Sequence, residues 1–213
     1  GTTVSLLGRS LTFGPDGLPS SIRSFFSANN TSIGTTPREI LNSPVRLAVL
    51  DSTGGEVAWN GAGPVVTKSS PGVVAWETDQ SSTTLRLQSR ASLEFDGTAE
   101  YTVTLTARDR TSLADVRLEI PMHADAARYM MGLGRKGGYR AGDLHWKWNV
   151  VEKNQGAAWI GDVNAGLQFT LRDERYVRPL NTNFYLSKPL VAPRSWVNGG
   201  KGGIDITGMR DSV

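Results

Sequence analysis

The residues best suited to chemistry lie together between positions 143 and 186. This stretch holds three of the six tryptophans and one of the two histidines, mixed with carboxylates, amides and glycines. Flat aromatic rings beside hydrogen-bonding side chains are typical of a sugar-binding surface or of a contact between domains. The candidate ligand-binding residues are His145, Trp146, Trp148, Trp159, Asp162, Asn164, Asn181 and Asn183.

Trp146 and Trp148 are separated by one residue. Side chains alternate along a β-strand, so the two indoles share one face while His145 and Lys147 share the other. If the tryptophan face is exposed, it offers a stacking platform for sugar rings. If it is buried, the indoles are packing residues of a core or of a domain contact, and this is the alternative that we favour.

The sequence lacks the residues that several other kinds of functional site require. The chain has no cysteine, which excludes disulfides, thiolate metal sites and a thiolate nucleophile. The two histidines, His123 and His145, are not spaced as metal ligands, and neither accompanies a nucleophile-elbow serine. The glycine-dense residues 132–139 lack the ending of a phosphate loop, and we interpret them as a loop or bulged connection. We therefore expect no cofactor, no metal and no catalytic residue.

Paired carboxylates are the remaining catalytic alternative. Two carboxyl groups about 5–10 Å apart can hydrolyse a glycosidic bond. The acidic side chains of the stretch are Asp143, Glu152, Asp162, Asp173 and Glu174. Because Asp and Asn favour turns, we interpret Asp162 and Asn164 as turn residues and Asp173-Glu174 as the end of a hairpin.

The elements that must position these residues are predicted to be short strands. Apolar and polar residues alternate most clearly over residues 100–107 and 114–121, and 24 glycines and 10 prolines supply frequent turns. We predict an all-β fold, a large two-sheet antiparallel β-sandwich of supersandwich-like form with at most one or two short helices. Residues 124–131 are the segment with helical character, and residues 29–37 are predicted to be a polar loop.

The length and charge of the chain limit its possible domain organisation and binding partners. The 213 residues fit one large domain, so we predict a single β-sandwich domain over 1–213. Neither a basic stripe for nucleic acid nor a run of roughly 20 apolar residues for a membrane span is present, and we expect neither partner. The start at Gly1 without a methionine indicates a fragment of a longer multidomain chain, one that could lack the last strands of its sandwich.

Several motifs together resemble a known family. They are Leu7-Gly8-Arg9-Ser10-Leu11-Thr12-Phe13-Gly14-Pro15-Asp16-Gly17, Leu118-Glu119-Ile120-Pro121, Met131-Gly132-Leu133-Gly134, Trp146-Lys147-Trp148, Trp159-Ile160-Gly161-Asp162-Val163-Asn164-Ala165-Gly166 and Arg178-Pro179-Leu180-Asn181-Thr182-Asn183. In this order the chain resembles the N-terminal β-sandwich region of large glycoside-hydrolase-like proteins, of the type grouped near glycoside hydrolase family 123. The resemblance implies a non-catalytic sandwich preceding a catalytic barrel, and a secreted or cell-envelope location.

Three functional hypotheses follow. The first is an accessory module of a larger carbohydrate-active protein, packing on its catalytic barrel through residues 143–186. The second is a glycan-binding module that uses Trp146, Trp148 and Trp159. The third is a complete glycoside hydrolase that uses paired carboxylates. Under the first two, the chain alone is not an enzyme although its parent protein is a glycoside hydrolase.

Overall fold

The computed structural model describes residues 1–140, 142–147, 157–170 and 203–207, and its regular elements are all β-strands. The all-β prediction is confirmed, and every strand pair is antiparallel. The chain divides into two compact units, Gly1–His123 and Ala124–Val213. The single domain over 1–213 stays a prediction. Among the described residues, no helix has the length and apolar character to cross a membrane.

Unit 1, Gly1–His123, contains three sheets. The first sheet is a meander in the order β1-β2-β3-β4, formed by β1 (Thr2–Leu6), β2 (Arg9–Phe13), β3 (Pro19–Phe26) and β4 (Ile33–Glu39). The second sheet runs β10-β9-β8-β6, with β7 also pairing with β8, and contains β6 (Asn60–Gly61), β7 (Val65–Ser70), β8 (Val73–Ser81), β9 (Leu85–Glu94) and β10 (Ala99–Ala107). The third sheet pairs β5 (Arg46–Asp51) with β11 (Leu113–Glu119).

The first and second sheets of unit 1 pack face to face over a shared core. Phe13 of β2 stacks on Trp76 of β8, with ring centroids 4.3 Å apart and planes 9° apart. Leu11, Ala91 and Leu93 complete the buried cluster. Burying a large apolar side chain contributes roughly 1.5–3 kcal/mol, so this cluster is the principal source of cohesion between the two sheets.

The turn between β2 and β3 is fixed to the second sheet by hydrogen bonds. The Trp76 indole N–H donates to the Gly17 carbonyl at 2.8 Å. The hydroxyls of Thr78 and Ser89 donate to the Asp16 carbonyl at 3.2 and 3.3 Å. Gly17 has φ 78°, and a Cβ there would lie 2.8 Å from the Thr78 methyl carbon, so both the conformation and the close approach require glycine.

Unit 2, Ala124–Val213, contains two described sheets. One runs β13-β12-β15-β16 and contains β12 (Tyr129–Gly132), β13 (Arg135–Tyr139), β15 (Ala157–Asp162) and β16 (Ala165–Thr170). The other pairs β14 (Leu144–Lys147) with β17 (Gly203–Ile206). Arg140 connects the two, because its side chain donates to the Ala127 carbonyl at 2.8 Å and to the Thr207 carbonyl at 3.4 Å.

Two local predictions were wrong, and a third was correct only in part. The helix predicted over residues 124–131 is a single turn at residues 124–126 followed by β12, because so short a segment has no cooperative gain from helix formation and pairs with neighbouring strands instead. Residues 132–139, predicted to be a loop or bulged connection, belong to the β12–β13 hairpin, which has a register shift between Met130 and Gly132 and a turn with Leu133 and Gly134 at φ 52° and 76°. The loop predicted over residues 29–37 includes most of β4.

Candidate functional site

Unit 2 presents aromatic side chains on one face of its four-stranded sheet. Tyr129 lies opposite both Tyr139 and Gly161, while Trp159 lies opposite Met131 and Gln168. Residues directly opposite each other in antiparallel strands project from the same face. We call this surface the aromatic face, and it consists of Tyr129, Met131, Tyr139, Trp159 and Gln168.

The Trp159 indole rests across two glycines of neighbouring strands. Gly161 and Gly166 are direct cross-strand partners. A Cβ added at Gly161 would lie under 3.0 Å from Trp159 Cζ2, and one added at Gly166 would lie 3.0 Å from Trp159 Nε1. The glycines therefore leave the space in which the indole lies close to the backbone of β15 and β16.

The two tyrosines extend this aromatic surface towards β13. Their ring centroids are 4.9 Å apart with an interplanar angle of 40°. A hydrogen bond with Tyr139 is the main reason that the pKa of Tyr129 is raised. The Arg128 guanidinium carbon lies 6.0 Å from the centre of the Tyr129 ring, at the limit of a cation–π contact.

The aromatic face is the solvent side of this sheet. Tyr139 is 76% exposed and Met131 is 50% exposed, whereas Tyr129 and Trp159 are half-buried. The opposite face carries Met130, Ala158 and Ile160, all buried. One apolar face in the core and one face in water is the usual arrangement of an antiparallel sheet, but here the water side carries large rings.

Asp162 and Asn164 lie beside the aromatic face, at the β15–β16 connection. Asn164 is in the two-residue turn, as the sequence predicted, and Asp162 is the last residue of β15. The Asp162 side chain is only 12% exposed, and its Oδ1 atom lies 4.0 Å from an Arg128 guanidinium nitrogen. This carboxylate is thus placed next to a cation at the edge of the sheet.

His145 and Trp146 lie on the other sheet of unit 2, on opposite faces of β14 as the alternation predicted. Trp146 is 4% exposed, so it is a packing residue and offers no stacking platform. The His145 Nδ1 atom lies 2.9 Å from Asp205 Oδ1 across the β14–β17 pair, and both side chains are exposed. Trp148, Asn181 and Asn183 lie outside the described residues.

A family model described as glycoside hydrolase 123, third domain, matches residues 1–213. The chain belongs to this family. The resemblance to glycoside hydrolase family 123 is thereby confirmed, and the description as a third domain implies a multidomain parent protein. The position of this module before a catalytic barrel stays a prediction. No curated protein and no solved structure matches the chain.

The sequence identified only part of the aromatic face of this glycoside hydrolase 123 third domain. Trp159 was among the predicted residues, whereas Tyr129, Tyr139 and Gln168 were missed. The available signal is the spacing of Tyr129 and Met131, which alternates as on a strand but falls in the segment predicted to have helical character. Tyr139 joins the face only through the β12–β13 hairpin, for which the sequence predicts a loop or bulged connection.

A surface depression of the glycoside hydrolase 123 third domain lies in unit 1. It is a groove of about 270 Å³ whose lining includes Glu77, Asp79, Gln88 and Arg90. Its charged groups already have partners: Arg86 forms an ion pair with Asp79, and Arg90 lies 3.8 Å from Glu77. The groove lining contains no aromatic side chain, so it offers no surface for stacking.

Proposed function

We propose that this glycoside hydrolase 123 third domain is a non-catalytic accessory module that packs on the catalytic barrel of its parent protein. The observation that carries the proposal is the match to a family described as a third domain, which implies further domains in the parent protein. A glycosidase needs a carboxylic acid with a raised pKa to protonate the leaving group. The pKa is instead lowered at Glu39, Asp51, Asp79, Asp96 and Glu119.

Hydrogen bonds from arginines, hydroxyl groups and backbone N–H groups account for these lowered values. Hydrogen bonds from Arg117 and Arg46 lower the pKa of Glu119, and Arg86 lowers the pKa of Asp79. The Thr53 side chain is the main cause of the lowered pKa of Asp51. These carboxylates therefore serve the ion pairs and turns of the scaffold.

The pKa of the Asp16 carboxyl group is raised, and burial is the largest cause. Its Oδ1 atom accepts a hydrogen bond from the Leu18 backbone N–H at 3.0 Å, in the turn that is fixed to Trp76. A side chain that shapes a turn beside a core is better explained as a structural residue than as an acid catalyst.

An exposed apolar strip on unit 1 supports packing on another domain. Val116 and Leu118 of β11 are 46% and 41% exposed on one face of the third sheet, where their partners on β5 are the buried Val49 and the half-buried Leu47. Contiguous apolar surface that stays exposed is typical of a contact with a partner.

The catalytic part of the proposal is tested by assaying the chain alone for release of reducing sugar from a panel of polysaccharides. We expect no release by the unchanged chain. Reducing sugar that appears with the unchanged chain and disappears with Asp162→Asn would contradict the proposal.

The packing part is tested by mixing the chain with the separately produced remainder of its parent protein. We expect co-elution, which the double variant Val116→Lys/Leu118→Lys should abolish. Thr102→Lys/Thr104→Lys is the matched control, because both threonines are exposed on β10. Equal loss in both double variants, or in neither, would contradict a role for the β11 strip.

A further inference from the structure

We infer that the aromatic face of unit 2 is a carbohydrate-binding surface that holds a short run of pyranose rings of a glycan chain. The inference goes beyond the proposed function, since a module can pack on a barrel without holding sugar. It differs from the tryptophan platform expected from the sequence, because Trp146 is buried and the rings come from Trp159, Tyr129 and Tyr139.

The first argument is shape. Tyr139, Tyr129 and the indole over Gly161 and Gly166 follow one another across four neighbouring strands, β13, β12, β15 and β16. Neighbouring strands are about 4.8 Å apart, so the row extends over roughly 14 Å. A row of rings of that length suits several consecutive sugar units rather than a single small molecule.

The second argument is the chemical mixture. A pyranose presents apolar C–H groups on its ring faces and hydroxyls around its rim, so it needs flat apolar surfaces with hydrogen-bonding groups beside them. The aromatic face supplies rings together with the Gln168 amide, the tyrosine hydroxyls and the nearby Arg128 guanidinium. These are the types of group that orient a polar ligand within an otherwise apolar site.

The third argument is the contrast with the strip on β11. That strip consists of branched aliphatic residues, Val116 and Leu118, as a contact between protein domains commonly does. None of the five residues of the aromatic face is Val, Leu or Ile, and the exposed Val163 lies in the adjoining β15–β16 turn. The two surfaces therefore suit different occupants, and sugar is the better match for the aromatic face.

The fourth argument is preorganisation. The Trp159 indole is already held close to the backbone by the space over Gly161 and Gly166, and the two tyrosine rings already contact each other. A ligand that stacks on rings fixed in advance loses less side-chain entropy than one that must order them.

The experiment is affinity electrophoresis of the full 213-residue chain in native gels containing soluble polymers. The neutral polymers are galactomannan, xylan and hydroxyethylcellulose, and the acidic ones are polygalacturonate and alginate. We expect retarded migration in at least one gel. Tyr139→Ala and Trp159→Ala should each weaken that binding about tenfold or more, which corresponds to about 1.4 kcal/mol.

Two features keep this experiment decisive. Tyr139 is 76% exposed, so its replacement tests binding even if Trp159→Ala disturbs the fold. Trp59→Ala is the matched control, since Trp59 is a partly exposed tryptophan of unit 1 and its loss should leave the migration unchanged. Absence of retardation in every gel would overturn the inference, as would equal retardation of the Tyr139 variant and the unchanged chain.

A further arm separates the inference from the proposed function. If Tyr139→Ala abolishes co-elution with the remainder of the parent protein, the aromatic face is a domain contact. The inference is then overturned while the accessory role stands. If the chain binds sugar in a way that depends on Tyr139 but does not co-elute with the remainder of its parent, the inference stands and the packing part of the proposed function is contradicted.

Discussion

Trp76 combines three kinds of contact in the core of unit 1. It stacks on Phe13, meets the edge of the Tyr101 ring with centroids 5.9 Å apart, and donates its indole N–H to Gly17. Because Trp76 is 1% exposed, water cannot take the place of a lost hydrogen bond, and the buried partner group would stay unsatisfied. The side chain thus joins both sheets and the β2–β3 turn.

Replacing Trp76 with Phe is expected to lower the free energy of unfolding by about 1–3 kcal/mol. The new ring still stacks, but the buried Gly17 carbonyl loses its donor. Urea unfolding followed by circular dichroism measures the change. Trp59→Phe is the control and should alter stability by much less; equal losses in the two variants would contradict the importance of the indole hydrogen bond.

Glu39 shows how local hydrogen bonds set the acid sensitivity of a strand pair. Burial by itself would raise the pKa of Glu39, but hydrogen bonds from the Ser21 hydroxyl, the Ile22 N–H and the Arg23 side chain together lower the pKa below its usual value of 4.5. A carboxyl group with a lowered pKa in the folded state contributes stability above its unfolded pKa. That contribution disappears as the pH falls through the folded value.

We therefore expect the free energy of unfolding to fall between about pH 6 and pH 3, and Glu39→Gln to make this fall smaller. Ser21→Ala removes one donor and should reduce the pH dependence by a lesser amount. Urea titrations at several pH values measure the effect. An unchanged slope in the Glu39 variant would show that other groups control acid unfolding.

Among the elements, β10 and the β12–β13 hairpin show what the sequence could and could not predict. Residues 100–107 alternate so clearly that β10 was predicted within a residue. The strand pairing of the hairpin was not predicted beyond a loop or bulged connection, because its turn uses Leu133, a non-glycine residue at positive φ that is 2% exposed. Burial of that leucine outweighs its poor turn propensity, and burial depends on tertiary packing that periodicity does not contain.

The candidate site, too, could be predicted only where tertiary packing does not decide the outcome. Trp159 was identified by residue type alone, while the tyrosines became part of the site through strand register. Trp146 was placed on the correct face of its strand, but whether that face lies in the core or in water depends on what packs against it.

Gly132, at the end of β12, is a position in the hairpin where a side chain cannot be added without strain. Its φ is 106°, and an added Cβ would lie under 3.0 Å from the Ala157 carbonyl oxygen on the paired strand. Gly132→Ala is expected to destabilise unit 2 by about 3 kcal/mol or more, since backbone strain and a backbone clash add together.

Thermal unfolding of the variant measures that loss. Gly138→Ala is the matched control in the same hairpin, because an added Cβ there meets nothing within 4 Å. A smaller effect for Gly132→Ala than for Gly138→Ala would be inconsistent with this account of the hairpin.

On the scale of the whole molecule, the chain consists of two compact units. Unit 1 has its own buried cluster of Leu11, Phe13, Trp76, Ala91 and Leu93, and the hydrogen bonds that fix its β2–β3 turn lie within it. A unit with its own core and its own polar contacts has what independent folding requires.

A chain shortened to residues 1–123 is therefore expected to unfold cooperatively in urea and to keep the near-ultraviolet dichroism of the Phe13–Trp76 stack. Trp76→Ala in the shortened chain should remove most of that signal. A shortened chain that lacks a cooperative transition would show that unit 1 depends on the rest of the molecule.

The pairing of β14 with β17 also has a consequence for biosynthesis. His145 and Asp205 face each other although 60 residues separate them. At about 5–20 residues per second, a ribosome takes on the order of 3–12 s to make that interval. Unit 1 has been fully synthesised before this interval begins. Leu144 and Trp146, by contrast, have no partner strand until the interval ends. Newly made chains should therefore be most dependent on chaperones late in translation, after the first unit has folded.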